Sequence, residues 1–337
     1  MEKRAITKDC ALGVDIGGTK IKAAALDING AVLHENQAAS PAGDQEKMVE
    51  AFKGLLHRIM DECRARNLNP KAVGVASAGY VLQKEGIIVS APNIAFNMVP
   101  LRRIAAEATG IPAFLDNDAN AAAAGERLAG VAKGSKNFVY LTLGTGVGGG
   151  VYANGLILRG SRGMAAELGH IVIDPRGPAC GCGRRGCLEA MASGNALGRI
   201  GSEIAKLDGD TLMVEMAGGD PASITGRIVT GAAAEGDAAA VRALEAWSAN
   251  LASGIVDYIH IFDPEMVVLG GGVAESGDLF IDSVRDAVAR EGIGALVEGV
   301  EILITELGNE AGVVGAAALA WEELERGSRS FTGERPP

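Results

Sequence analysis

The pattern of hydrophobic and polar positions over residues 12–35 predicts three strands joined by two turns. An apolar run ends at two glycines, an extended segment follows, and Asn29 and Gly30 then form the pair typical of a type I′ hairpin. A Rossmann fingerprint or a P-loop requires a helix directly after its glycines, whereas this turn leads into another strand. The pattern therefore disfavours both of those nucleotide-binding folds.

Residues 137–158 repeat the same order of strand, glycine-rich turn, strand and Asn-Gly pair. A third glycine-rich segment, residues 265–280, differs because a strand ends at its glycines and a helix is predicted to begin near Asp278. One repeated unit in each half of the chain predicts a duplicated α/β architecture with two lobes.

In other segments the spacing of apolar residues predicts individual helices and strands. Residues 46–66 have apolar positions three and four apart, which predicts a helix with one buried face and makes Cys63 a small core residue. Residues 72–79 predict a buried strand, and residues 243–262 predict a long helix. Residues 111–130 predict a strand that continues into an alanine-rich helix.

Composition narrows the possible partners. A chain of 337 residues is too long to form a single hydrophobic core of ordinary size. Its net charge of -11 disfavours binding to nucleic acid, because phosphate contacts require a basic surface. Aromatic residues make up 4%, which also disfavours a base-stacking surface. No window approaches the length of a membrane-spanning helix, and the first ten residues lack the apolar stretch of a signal peptide. We therefore expect a cytoplasmic protein with no membrane or nucleic-acid partner.

Asp15 precedes the first glycine-rich turn, which contains Gly17, Gly18 and Thr19. Glycines let backbone N–H groups come close to a phosphate, threonine adds a hydroxyl donor, and the aspartate can hold Mg²⁺. This turn alone is equally consistent with a plain hairpin. The second turn, within residues 141–150, has five glycines, and the two turns together predict phosphates held between two lobes.

The sequence Asp116-Asn117-Asp118 follows a predicted strand and begins a predicted helix. Asp118 alone is explained as an N-cap, since a side-chain oxygen at that position satisfies free helix N–H groups. Three such residues exceed the needs of one cap. An aspartate near a phosphate site can also take the proton of an attacking hydroxyl, so Asp118 is a candidate general base.

Four residues have the number and type of ligands that a closed structural zinc site uses: His170, Cys180, Cys182 and Cys187. A redox dithiol and a group of unliganded cysteines are the alternatives, although the spacing lacks the C-x-x-C of redox motifs. A metal here would fix two nearby carboxylates, and carboxylates commonly hold polyol hydroxyls. The two candidates for a sugar ligand are Glu167 and Glu189.

The segments DIGGTKIKAAALDINGAV, LDNDANAAAAGE, LTLGTGVGGGVYANG, ELGHIVIDPRGPACGCGRRGCLEAMASG and VVLGGGV occur in this order. Together they resemble the ROK family of bacterial sugar kinases and sugar-responsive repressors, from about residue 12 to residue 320. The motif G-H-x9-C-x-C-G-x2-G-C-x-E is specific to that family and is present at every defined position.

The resemblance implies a two-lobed actin-like ATPase fold of the duplicated ribonuclease H-like type, with a sugar in the inter-lobe cleft. It implies ATP-dependent hexose phosphorylation with Mg²⁺ and a structural Zn²⁺, and Asp118 as the base. The residues expected to contact the sugar are Asn93, Asn117, Asp118, Glu167, His170 and Glu189, where His170 is also a zinc ligand. The residues expected to contact the nucleotide and its metal are Asp15, Gly17, Gly18, Thr19, Lys20, Gly144, Thr145, Gly146, Gly148, Gly271 and Gly272.

The expected domain boundaries follow from the predicted elements and the resemblance. Residues 1–117 are expected to form an N-terminal lobe that a helix at about 312–326 completes. Residues 118–311 are expected to form the C-terminal lobe with its zinc loop at 170–187, and residues 327–337 a disordered tail. The resemblance also implies a homodimer or homotetramer.

Residues 307–317 resemble the glucokinase branch, so glucose is the expected substrate, with N-acetylglucosamine and N-acetylmannosamine as alternatives. Polyphosphate is an alternative donor, although the third glycine segment favours a nucleotide. A sugar-responsive repressor is disfavoured because only eleven residues precede Leu12. The sequence departs from the common family pattern at residues that flank the expected sugar site, namely Ala78, Phe96, Ala165 and Ala166.

Overall fold

The computed structural model describes residues 7–91 and 93–332, and the chain divides into two compact units. Unit 1 comprises residues 1–134, 157–165 and 309–337, and unit 2 comprises residues 135–156 and 166–308. The strands are β1 (Lys8–Ile16), β2 (Lys20–Leu26), β3 (Val32–Ala39), β4 (Leu68–Ser77), β5 (Tyr80–Leu82), β6 (Ile87–Ser90), β7 (Asn97–Val99), β8 (Ala113–Asn117), β9 (Phe138–Leu143), β10 (Val147–Ala153), β11 (Leu156–Ile157), β12 (Met266–Gly270) and β13 (Glu301–Ile304).

The helices lie between groups of these strands or after the last strand, and several follow one another between β11 and β12. They are α1 (Gln45–Ala65), α2 (Leu101–Thr109), α3 (Asp118–Ala129), α4 (Leu188–Ala192), α5 (Gly194–Asp208), α6 (Leu212–Met216), α7 (Gly226–Ala234), α8 (Ala238–Phe262), α9 (Ile281–Glu291), α10 (Gly294–Val297) and α11 (Ala311–Thr332). Short 3₁₀ helices cover Leu168–His170, Pro221–Ser223, Ala274–Leu279 and Gly308–Glu310. No helix in the described ranges is both long enough and apolar enough to span a bilayer.

Unit 1 is built on a five-stranded sheet with the order β3-β2-β1-β4-β8. The three predicted strands of residues 12–35 form its antiparallel part, while β4 and β8 extend it in parallel. Helix α1 begins after Asp44, whose side chain accepts a hydrogen bond from the Lys47 N–H, and its apolar face is buried. Cys63 lies on that face with no exposed surface, as the spacing predicted.

Unit 2 repeats this arrangement with the order β11-β10-β9-β12-β13. Strands β9 and β10 are antiparallel, and β12 and β13 extend the sheet in parallel. The two sheets share one strand order, which confirms the predicted duplication. The predicted helix near Asp278 begins at Ile281, because a 3₁₀ helix occupies Ala274–Leu279 first.

The observed boundary between the units differs from the predicted one. Helix α3 lies in unit 1, whose first segment ends at Gly134, whereas the predicted boundary was residue 117. The physical reason is close packing of α3 on α11, since a Cβ added at Gly315 would lie 1.5 Å from the carbonyl oxygen of Ala121. Helix α11 continues to Thr332, within the segment predicted as a tail, and residues 333–337 lie outside the described residues.

Candidate active site

The first glycine-rich turn joins β1 to β2 in unit 1. Its Gly17 N–H donates to the carbonyl of Lys20 at 3.1 Å, while Gly18 and Thr19 are exposed. Asn93 lies beside this turn, since a Cβ added at Gly18 would be 3.6 Å from the Asn93 carbonyl oxygen. The structure therefore brings the predicted Asn93 next to the predicted phosphate turn.

Asp15 lies near the end of β1, opposite Lys22 in the ladder with β2. Burial and the charge of Asp118 raise the pKa of the Asp15 carboxyl from an ordinary 3.8 to about 6, and Lys22 opposes this effect. Two carboxylates that repel each other favour a divalent cation, because the cation offsets both charges. Asp15 is therefore well suited to hold Mg²⁺.

The turn between β8 and α3 contains Asn117 and Asp118. Asn117 is the N-cap, because its extended backbone precedes the helix and its Oδ1 accepts a hydrogen bond from the Ala119 N–H at 2.8 Å. Asp118 is the first helical residue, so capping is not its primary role. Burial raises the pKa of its carboxyl, and the Ala119 N–H hydrogen bond partly opposes this. A carboxylate with a raised pKa is a stronger base than an ordinary aspartate.

The predicted metal ligands lie together in unit 2. The four donor atoms of His170, Cys180, Cys182 and Cys187 all lie within 4.8 Å of one another. The Sγ atoms of Cys182 and Cys187 are 3.6 Å apart, and the Cys180 Sγ is 3.7 Å from the His170 Nδ1. Two thiolates bound at about 2.3 Å to a tetrahedral zinc ion lie about 3.8 Å apart, so these residues fit zinc.

Local backbone geometry shapes this metal loop. Gly186 has φ +67°, and a Cβ there would lie 1.5 Å from the carbonyl oxygen of Asp174, so only glycine fits. The Cys180 N–H donates to the Arg184 carbonyl at 2.8 Å, and the Arg184 guanidinium donates to the His170 carbonyl at 3.0 Å. The loop is thus closed by its own hydrogen bonds.

Glu189 lies in the first turn of α4, directly after the metal loop. Its Oε2 accepts a hydrogen bond from the Val147 N–H at 3.2 Å, and its Oε1 is 3.5 Å from the Cys180 Sγ. A Cβ added at Gly146 would lie 2.4 Å from the Glu189 carboxylate. The metal loop and the second glycine-rich turn are therefore neighbours within unit 2, which the sequence did not predict.

The 3₁₀ helix that ends at His170 follows Glu167, whose side chain is exposed. The His170 N–H donates to the Glu167 carbonyl at 3.0 Å, and the Tyr258 hydroxyl donates to the Leu168 carbonyl. Ala166, which precedes Glu167, has φ +66°, in the left-handed region that favours glycine. Glu167 and His170 are therefore held by one short, anchored turn.

The third glycine segment lies beside the second. Gly271 has φ +83°, and a Cβ there would lie 2.6 Å from the Leu143 carbonyl oxygen, which also accepts from the Val273 N–H at 2.9 Å. Unit 2 therefore brings together one set of predicted nucleotide residues, namely Gly144, Thr145, Gly146, Gly148, Gly271 and Gly272. Unit 1 holds the other set, Asp15, Gly17, Gly18, Thr19 and Lys20, together with Asn93, Asn117 and Asp118.

Comparison with known proteins identifies the family. Residues 11–323 match the model of the ROK family. The chain belongs to the ROK family. A glucokinase of Streptomyces coelicolor is 39% identical over 319 residues, which cover 92% of this chain and 97% of that protein. An N-acetylmannosamine kinase of Citrobacter koseri is 33% identical and covers 92% of this chain and 98% of its own.

A solved ROK structure supports the fold as well. The ROK family glucokinase from Streptomyces griseus, in complex with glucose and AMPPNP, matches with a TM-score of 0.78 at 36% identity. The match covers 93% of this chain and 99% of that chain. The predicted family and its two-lobed α/β fold are confirmed.

The sequence did not indicate Arg159, which lies beside the turn between β8 and α3. Arg159 lies after β11 in a segment that belongs to unit 1, and its Nε donates to the Asp116 carboxylate at 2.7 Å. Three polar residues in a row at 116–118 indicate that at least one of them bonds to a side chain elsewhere. Nothing in the neighbouring sequence indicates that Arg159 is that side chain.

Proposed function

We propose that this protein is an ATP-dependent glucokinase that transfers the γ-phosphoryl group of ATP to the 6-hydroxyl of glucose. The observation that carries the proposal is the placement of Asp15 and Asp118 at one edge of the unit 1 sheet. Asp15 pairs with Ala76 and Ala76 pairs with Asp116, so Asp118, two residues further on, lies close enough for its charge to raise the pKa of Asp15. Asp15 is suited to hold a magnesium ion and Asp118 is suited to accept a proton. Phosphoryl transfer to an alcohol requires both functions. Similarity to the glucokinase of Streptomyces coelicolor supports glucose as the acceptor.

Asp118 acts as the general base in this proposal. Its carboxylate accepts the proton of the 6-hydroxyl while the hydroxyl oxygen attacks the γ-phosphorus and ADP leaves. The proton then passes from Asp118 to solvent, which restores the carboxylate. General-base action of this kind contributes about 10² to 10⁴ in rate.

The glycine-rich turns bind the nucleotide. The backbone N–H groups of the exposed residues Gly18, Thr19 and Thr145 donate to phosphate oxygens, and Gly271 and Gly272 lie against the adenosine. Asp15 would hold Mg²⁺, and that ion would neutralise charge on the phosphates. Positioning and charge stabilisation supply most of the catalysis in this class of reaction.

The polar side chains that bind the sugar hydroxyls are those of Asn93, Asn117, Glu167, His170 and Glu189. The fit of the cysteine cluster supports zinc as a structural ion that orders these residues, and zinc takes no part in the chemistry. His170 offers Nδ1 to the metal cluster, so its Nε2 can donate to a hydroxyl.

A coupled assay of ADP release tests the proposal with glucose, N-acetylglucosamine and N-acetylmannosamine as acceptors. We expect the highest kcat/KM with glucose, and zinc near one equivalent per chain in the same preparation. A higher kcat/KM with N-acetylglucosamine or N-acetylmannosamine would show that this sugar, and not glucose, is the substrate. Activity with polyphosphate but not with ATP would contradict the assignment of the donor.

A further inference from the structure

Behind the β8–α3 turn lies a buried ion pair between Asp116 and Arg159. The Asp116 Oδ2 accepts from the Arg159 Nε at 2.7 Å, and the two side chains are 4% and 12% exposed. Both residues belong to unit 1, although β9 and β10 of unit 2 intervene in the chain. A pair so far from solvent has exchanged most of its hydration for this contact.

Asp116 contacts the turn on both sides of Asp118. Its Oδ1 accepts from the Asn117 N–H at 2.9 Å and from the Asn120 Nδ2 at 2.8 Å. The Asn120 Oδ1 is buried and has no hydrogen-bond partner among the described residues, so the bond to Asp116 orients this side chain. The carboxylate of Asp116 thus ties the residue before Asp118 to a residue in the first turn of α3.

Arg159 is itself held from a second direction. Its Nη1 is 3.0 Å from the Glu323 carboxylate of α11, and its carbonyl accepts from the Ala165 N–H at 3.0 Å. The same segment receives a hydrogen bond at 2.8 Å from the Lys84 ammonium to the Ser161 carbonyl. Arg159 therefore approaches Asp116 from a fixed position rather than as a mobile surface side chain.

We propose that Arg159 is a positioning residue that acts through Asp116 to set the geometry of Asp118. The proposal rests on the proposed function, because Asp118 is the base only in that reaction. Without the guanidinium, the buried Asp116 carboxylate must either take up a proton or move toward water. Either change alters hydrogen bonds that flank Asp118, and a displacement of a base by about 1 Å can cost about 10² in rate.

Arg159→Met tests the proposal in steady-state kinetics, with Arg127→Met as the matched control. Arg127 also reaches an acid of α11, Glu322, at 3.2 Å, so the control removes a similar ion pair. We expect kcat to fall about 10- to 100-fold in Arg159→Met, with the KM for ATP changed less than about threefold. Arg127→Met should keep kcat within about twofold of the wild type.

A double mutant separates positioning from general damage. If Arg159 acts through the base, Arg159→Met should cause no further loss of kcat when Asp118 is already Asn. Arg159→Lys should restore part of the rate, because an ammonium can pair with Asp116 but cannot bridge to Glu323 with the same fork. An unchanged kcat in Arg159→Met, or an equal fold loss in the Asp118→Asn background, would overturn the proposal.

Hydrogen exchange provides a readout that does not depend on activity. The amides of residues 113–122 should exchange faster in Arg159→Met than in the wild type, while residues 45–65 should be unchanged. Unchanged exchange at residues 113–122 would contradict the positioning role even if the wild type phosphorylates no sugar. If Arg159→Met does not fold, the kinetic and hydrogen-exchange measurements are made on Arg159→Lys instead.

Discussion

The Glu189 carboxylate accepts a hydrogen bond from the Val147 N–H at 3.2 Å and lies 3.5 Å from the Cys180 sulfur. One side chain thus contacts both the second glycine-rich turn and the metal cluster. Glu189, a predicted sugar contact, is therefore hydrogen-bonded directly to the second glycine-rich turn, a predicted phosphate site, within unit 2.

Removal of the metal should loosen the sugar residues more than the nucleotide residues. A chelator, or Cys182→Ser, should release zinc and weaken glucose binding by at least about tenfold, because His170 and Glu189 lose a fixed neighbour. Binding of ADP should change by less than about threefold, since only the Val147 contact of the glycine turns is indirectly affected. Calorimetry with metal analysis on the same sample measures all three quantities.

Cys63→Ala is the matched control for the metal experiment. Cys63 is buried in unit 1 and belongs to its apolar core, so its loss should affect stability without affecting zinc content. Full glucose affinity in a zinc-free preparation would contradict the structural role of the metal.

Asp118→Asn should lower kcat by about 10² to 10⁴, because the amide cannot accept the hydroxyl proton. The KM for glucose should change little, since the amide oxygen has the same shape and retains the contact with the Ala119 N–H. Single-turnover kinetics measures the chemical step directly. Phosphoryl transfer at a near wild-type rate would rule out the proposed base.

The pH profile of kcat should reflect the raised pKa of the Asp118 carboxyl. The base must be ionised, so the rate falls as pH decreases through this pKa, which burial holds above the ordinary value of 3.8. We expect the acid limb above that value in the wild type. In Asp118→Asn the residual activity should lose the dependence on Asp118 and retain only the dependence on ionisation of Asp15, the proposed magnesium ligand. An acid limb at or below 3.8 would indicate that burial does not perturb this group.

Asp15→Asn should stabilise the metal-free protein at neutral pH. The folded-state pKa of Asp15 is raised from 3.8 to about 6, so the ionised carboxylate destabilises the fold above about pH 6 and has no effect below 3.8. Removing the charge should raise the free energy of unfolding by about 1–3 kcal/mol at pH 8, and the gain should disappear toward pH 4. Urea unfolding at both pH values measures the difference.

Asp27→Asn is the control with the opposite sign. Lys8 donates to the Asp27 carboxylate and lowers its pKa, so this carboxylate stabilises the fold at neutral pH. Asp27→Asn should therefore be destabilising at pH 8, and a gain in stability for both variants would indicate a general effect of charge removal.

Ala166→Gly should relieve backbone strain before Glu167. Ala166 has φ +66°, where a Cβ costs about 1–2 kcal/mol, while glycine loses about 0.5–1 kcal/mol of chain entropy in return. We expect a net gain of about 0.5–1 kcal/mol in the free energy of unfolding. Ala165→Gly is the neighbouring control, because Ala165 has no positive φ, and it should lose stability in the same thermal or urea measurement.

Sequence reasoning predicted features that depend on local pattern. The strands and turns of residues 12–35 and 137–158 follow from alternation and glycine placement, and the metal ligands follow from residue type and spacing. The capping role that Asp118 could have had belongs to Asn117, one residue earlier, because the helix begins at residue 118.

Features that depend on distant contacts were not predictable in this way. The first segment of unit 1 continues to Gly134 because α3 packs on α11, and no local pattern shows that Ala121 meets Gly315. Arg159 pairs with Asp116 across 43 positions, and Glu189 meets Val147 across 42. Such contacts arise from tertiary packing, so only the folded chain identifies them.

The shared strand order of the two sheets shows where the two units differ. The metal loop and Glu167 follow β11 in unit 2, whereas helix α1 follows β3, the matching edge strand of unit 1. A loop attached at the edge of a sheet can change in length or sequence without breaking the hydrogen bonds of that sheet. Substitutions in the metal loop should therefore leave both five-stranded sheets intact.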